Sequence, residues 1–131
     1  MKRLLLPVFL CLYIAGFGQT FSNTNLTPIP NTNTDISIPI NVIGIPNVID
    51  SSFGLGAVCL NISHQWTADL VVKLKSPNGT IIILADAKGG SSNGYPGTCF
   101  QENATGGWIH LAPTPFTGSY FPQQSLNTFN D

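Results

Sequence analysis

Between Asp69 and Lys75 apolar and polar residues alternate: Leu70, Val72 and Leu74 share one side, Asp69, Lys73 and Lys75 the other, and Val71 alone breaks the pattern. A period of two predicts a half-buried β-strand. Ser76-Pro77-Asn78-Gly79 follows, with Pro77 pre-set for the second turn position and Gly79 free to take the left-handed conformation that closes a hairpin. Residues 80–85 (TIIILA) are the expected return strand. Two further alternations flank this hairpin on its N-terminal side. Ile36, Ile38, Ile40 and Val42 share a face opposite Ser37, Pro39 and Asn41, and because Pro39 has no N–H this predicts an edge or bulged strand. Residues 57–63 predict a third strand with Val58, Leu60 and Ile62 inward and Cys59 and Asn61 on the opposite face. Residues 48–56 are rich in turn formers, 86–98 form a long loop of Gly, Ser and Asn, and Trp108 to Leu111 predicts a short strand. A loop as long as 86–98 inside a small domain is more often functional or metal-ordered than idle. With 13 glycines, 10 prolines and no long stretch at helical period, the pattern predicts an all-β domain of short strands.

The chain opens differently. Lys2 and Arg3 precede an apolar run over 4–15 and a small-residue exit at Gly16-Phe17-Gly18, which reads as a secretory signal peptide over residues 1–18. The run is too short for a stable membrane anchor, and because Leu12-Tyr13-Ile14 continue it past Cys11, a lipoprotein cysteine does not fit. Residues 19–34, mostly Asn, Thr and Pro, form a linker or N-terminal arm, and 35–131 leave room for one domain. Without the leader, three lysines stand against six acidic residues. That mild acidity, with 8% charged and 43% hydrophobic residues, excludes a nucleic-acid binder and a disordered tail. It also leaves Cys59 and Cys99 as the two cysteines of a secreted or extracellular chain, so one intramolecular disulfide is expected.

Candidate chemistry is sparse. The possible bases are His64 and His110, with neither a Gly-x-Ser-x-Gly elbow nor a subtilisin-type Gly-Thr-Ser-x-Ala segment, so no catalytic triad is expected here. Both histidines read as hydrogen-bonded structural groups, and the His and Cys residues lack zinc-ligand spacing. Asp69, Asp86 and Glu102 are hard oxygen donors at strand ends and loop edges, readable as calcium ligands if the fold converges them, or as solvated carboxylates and turn caps. Trp66, Tyr95 and Trp108, with Tyr120, are readable as a sugar-stacking surface or as core and edge packing. Asn25, Asn61, Asn78 and Asn103 head Asn-x-Ser/Thr sequons, acceptors in a eukaryotic secretory route.

Several ordered motifs resemble one family. His64, an aromatic-containing spacer, Asp69-Leu70, the alternating strand and Ser76-Pro77-Asn78-Gly79-Thr80 are similar to the signature of the P domain (P/Homo B domain) that follows the catalytic domain of kexin-like and many bacterial subtilisin-like proteases. Gly89-Gly90-Ser91-Ser92-Asn93-Gly94 resembles its glycine-rich loop, Thr98-Cys99-Phe100 its next strand, and Pro115-Phe116-Thr117-Gly118-Ser119-Tyr120-Phe121-Pro122 its Pro-Phe-x-Gly-x-Tyr-x-Pro segment. Ser125 to Asn130 resembles the step before the family's last strand pair, which this sequence does not contain up to Asp131, so a truncated chain and a sandwich with an unfilled slot are both open. The resemblance covers about residues 36–131 and implies a jelly-roll-like antiparallel β-sandwich, galactose-binding-like in fold. It also implies a non-catalytic secreted module that stabilises or regulates a subtilisin-like catalytic domain, with calcium as the possible cofactor. The alternative is a free-standing extracellular carbohydrate-binding or adhesion module using the aromatic residues.

Overall fold

The structure is a computed structural model and describes residues 18–47 and 53–129. The expected signal peptide lies outside the described residues apart from Gly18. Among the described residues, no helix is long and apolar enough to cross a membrane.

Among the described residues, five strands form two sheets: β1 (Ala57–Ile62), β2 (Val71–Lys75), β3 (Ile81–Asp86), β4 (Tyr95–Gln101) and β5 (Gly118–Tyr120). One sheet has the order β1-β4-β5 and the other is the β2-β3 hairpin. The pairs β1–β4 and β2–β3 are antiparallel, whereas the short β5 joins β4 in parallel. Among the described residues, the 3-10 helices Thr67–Asp69, Ile109–Leu111 and Leu126–Phe129 complete the small all-β sandwich.

The hairpin forms where the alternation placed it. Leu70, Val72 and Leu74 pack against the core while Val71, Lys73 and Lys75 face outward. The turn closes through Gly79 N–H to Ser76 O (3.0 Å) and Ser76 N–H to Thr80 O (2.9 Å), with Gly79 at φ 96°. A bulge at Val72/Lys73 puts one extra residue into β3, so the consecutive Leu84 and Ala85 are both buried. In β1, Val58, Leu60 and Ile62 pack inward as the alternation predicts.

The core joins both sheets: Ile82, Leu84 and Ala85 from β3, Tyr95 and Phe100 from β4, Tyr120 from β5, with Ile109, Phe116 and Leu126 from the connections. Phe116 stacks on Tyr95 (centroids 5.3 Å apart, planes at 16°) and meets Tyr120 edge-on at 6.3 Å. Buried Thr98 donates its hydroxyl to Phe116 O, which fixes the Phe116 backbone beneath its own ring.

Three sequence expectations are corrected. Ile36, Ile38, Ile40 and Val42 form no strand; they are exposed and stand apart from the core cluster, and where a ladder partner was expected Pro39 O accepts from the Asn23 side-chain amide (2.8 Å). Trp108 to Leu111 is not a strand: Trp108 makes one isolated bridge to Phe121, and the chain then tightens into the 3-10 helix that sinks Ile109 into the core. The loop 86–98 is shorter than expected, since Tyr95 to Thr98 already belong to β4, where a bulge accommodates Pro96 and Gly97 (φ 57°).

Cys59 and Cys99 are direct cross-strand partners in β1 and β4, disulfide-bonded with Cα atoms 4.0 Å apart and a sequence separation of 40. Closing a loop of that size stabilises chiefly by restricting the unfolded chain, by about 4 kcal/mol on the chain-entropy estimate. The double variant Cys59→Ser/Cys99→Ser is therefore expected to lose about 4 kcal/mol in chemical denaturation. A loss below about 1 kcal/mol would show that strand pairing alone fixes β1 to β4.

Candidate functional site

The sequence from His64 to Asp69 connects β1 to the hairpin and carries two of the residues singled out above, Trp66 and Asp69. Its anchor is Thr67, fully buried at 0% exposure. The Thr67 hydroxyl donates to Ser92 O (2.6 Å), accepts from the Gly94 N–H (2.7 Å) and meets Ser92 Oγ at 2.8 Å. Two backbone bonds run beside it, Thr67 N–H to Ser92 O (3.3 Å) and Ala68 N–H to Gly90 O (3.1 Å). One donor and two acceptor positions are all a hydroxyl has, and here each has a partner.

The glycine-rich loop is shaped to receive that anchor. At Gly94 (φ 91°) a Cβ would stand 2.2 Å from Ile62 O, and at Gly89 (φ 94°) 2.6 Å from the Phe116 ring. Any side chain there would push the loop off Thr67 or off the core.

With Thr67 turned inward, its neighbours face solvent. Trp66 is 56% exposed and has no ring partner among the described residues. His64 Nδ1 lies 2.7 Å from Trp66 O and 3.2 Å from Trp66 N, so this imidazole holds the bend, as expected of a structural histidine. Asp69 closes the 3-10 turn through its N–H to Trp66 O (3.1 Å). Against this bend lies the arm segment 29–33, and between the two runs a cleft of two adjoining parts, ≈ 280 and ≈ 530 Å³. The larger is lined by Ile29, Asn31, His64, Gln65, Trp66 and Asp69. Farther along, Asp35 pairs with Lys73 at 3.0 Å on the exposed face of β2.

The other singled-out residues are elsewhere. Tyr95 is fully buried, so it belongs to no binding surface; burial, with the Asp86 charge adding to it, pushes its hydroxyl up to about 12. Trp108 is half-exposed but packs on Phe121 (5.2 Å) and beside His110 (5.9 Å). Asp86 sits at the end of β3 opposite Val71, on the hairpin that Asp69 precedes. Glu102 follows β4 at the end away from Tyr95, roughly 20 Å of strand from the Asp86 side. It accepts from Ser125 Oγ (2.7 Å) and from the Leu126 N–H (2.5 Å), holding the start of the last 3-10 helix. The three carboxylates therefore do not converge on one calcium ion, and no group of three metal-binding side chains occurs among the described residues. Sequence reasoning missed Thr67, whose partners lie about 25 residues away.

Comparison with known proteins follows the same segment. Residues 57–109 match the model of the proprotein convertase P-domain family, from the first residue of β1 to the buried Ile109. The chain is 33% identical over 96 residues to leupeptin-inactivating enzyme 1 of Streptomyces exfoliatus, an alignment covering 70% of this chain and 21% of that protein. The chain thus spans about a fifth of the length of the curated relative it matches. No solved structure is a significant match.

Two outcomes are expected from this geometry. Thr67→Val leaves the buried Gly94 N–H without its acceptor and is expected to cost about 1–3 kcal/mol, while Thr67→Ser keeps the three contacts and loses less; a loss in urea titrations for Thr67→Ser but not for Thr67→Val would mean that only the methyl matters. Glu102→Ala removes the acceptor of Leu126 N–H and is expected to lower stability by about 1–2 kcal/mol, to the same extent in calcium and in chelator. A drop confined to calcium would make Glu102 a metal ligand.

Proposed function

We propose, on the premise that residues 57–109 are P-domain sequence, that this protein is a secreted, non-catalytic accessory module that packs against a subtilisin-like serine endopeptidase and stabilises or regulates it. The observation that carries this reading is where the match falls: it takes in β1 to β4, the disulfide and the Thr67 anchor as one stretch. The chain's two histidines, His64 within that stretch and His110 just after it, do not favour a protease of its own. His64 is engaged with the backbone of Trp66, and His110 stands beside Trp108 on the surface. The relative, an enzyme by its name, is about five times as long as the matched portion, which supports a module that accompanies catalysis and does not perform it.

The test uses the full chain immobilised and exposed to culture medium of the source organism, with a fluorophosphonate probe to mark active serine hydrolases. Retention of a subtilisin-like peptidase, and a longer half-life of that peptidase at elevated temperature when the chain is added, is the expected result. Retention of no labelled peptidase, or casein hydrolysis by the purified chain alone, would overturn the proposal.

A further inference from the structure

Trp66 is the aromatic residue of the cleft. Its backbone adjoins the buried, fully satisfied Thr67, and its indole is 56% exposed and unstacked. Trp108, the other tryptophan, has Phe121 and His110 against it. An aromatic face held open in this way is set up for a partner with a flat apolar side.

The rest of the cleft says which partner. Around Trp66 stand one carboxylate, Asp69, two amides, Asn31 and Gln65, the imidazole of His64, and Ile29, with no lysine or arginine among the described residues lining it. The absence of a cationic lining residue disfavours a phosphate or carboxylate ligand. One ring, not a box of several, disfavours a quaternary ammonium group. Paired hydroxyls suit the set: they can donate to Asp69 Oδ atoms and accept from the amide N–H groups of Asn31 and Gln65. With His64 Nδ1 engaged by the backbone, Nε2 is the ring nitrogen left for a ligand. The ≈ 530 Å³ of the larger part falls in the range of small-ligand sites.

We propose that the cleft between residues 29–33 and 64–69 binds a neutral pyranose sugar, its C–H face on the Trp66 indole and its hydroxyls on Asp69, Gln65 and Asn31. This goes beyond the accessory reading and does not depend on it, since a sugar titration and peptidase capture can fail separately.

In full-length Trp108→Phe protein Trp66 is the sole indole, so its fluorescence reports on this ring alone. Titration with neutral oligosaccharides of glucose, mannose, xylose and N-acetylglucosamine is expected to give a saturable blue shift with at least one of them. Calorimetry should then show affinity falling about tenfold or more in Trp66→Ala and in Asp69→Asn, each checked for native circular dichroism. A spectrum unmoved by every oligosaccharide would overturn the proposal. So would sugar binding that survives both substitutions, or a shift produced by an arginine-rich peptide or inorganic phosphate and not by sugar.

Discussion

The Thr67 hydroxyl is the contact on which the bend from His64 to Asp69 depends. It is buried where no water reaches, and it joins the chain leaving β1 to the chain entering β4 through Ser92 and Gly94. The two sheets meet through the shared apolar core, where Ile82, Leu84 and Ala85 of β3 join Tyr95, Phe100 and Tyr120, and the Thr67 junction ties their connecting segments together at this end. The glycines at 89 and 94 are the geometric counterpart: they let backbone approach backbone, or ring, closely enough for one hydroxyl to serve three partners. Removing any of these parts would loosen both the cleft wall and the way the hairpin sits on the core.

Legibility in the sequence tracked how local the determining physics is. The hairpin was readable because its alternation and its turn residues are neighbours, and the inward face of β1 was readable for the same reason. Cys59 and Cys99 were readable as a pair from compartment and count, although only the register showed that they are direct cross-strand partners. The start of β4 was hidden because Pro96-Gly97 is turn vocabulary, and here the β1 strand accepts it as a bulge. Ile36 to Val42 erred the opposite way: alternation records a capacity to pair, and among the described residues no strand forms a ladder with it. Thr67 had no local signature at all, since its role comes from a loop about 25 residues on.

The same contrast separates the candidate functional residues. Asp69 and Trp66 stand together on the bend turned by the buried Thr67, whereas Tyr95 is drawn into the core against Phe116. Glu102 went to the backbone of the last 3-10 helix, where a carboxylate facing a free N–H is worth more than one left in solvent. Sequence gave the residue types, and three-dimensional distance decided which could act jointly.

The disulfide has a mechanical consequence. Tension applied along the polypeptide, from the stretch before β1 to the stretch after β4, takes the covalent shortcut from Cys59 to Cys99. The residues between them, with the hairpin, the glycine-rich loop and the Thr67 bend, sit on a slack branch outside the load path. If neighbouring polypeptide is pulled, as happens between tethered partners at a surface, the 64–69 wall of the cleft keeps its shape while the flanking chain, with the 29–33 wall, bears the force.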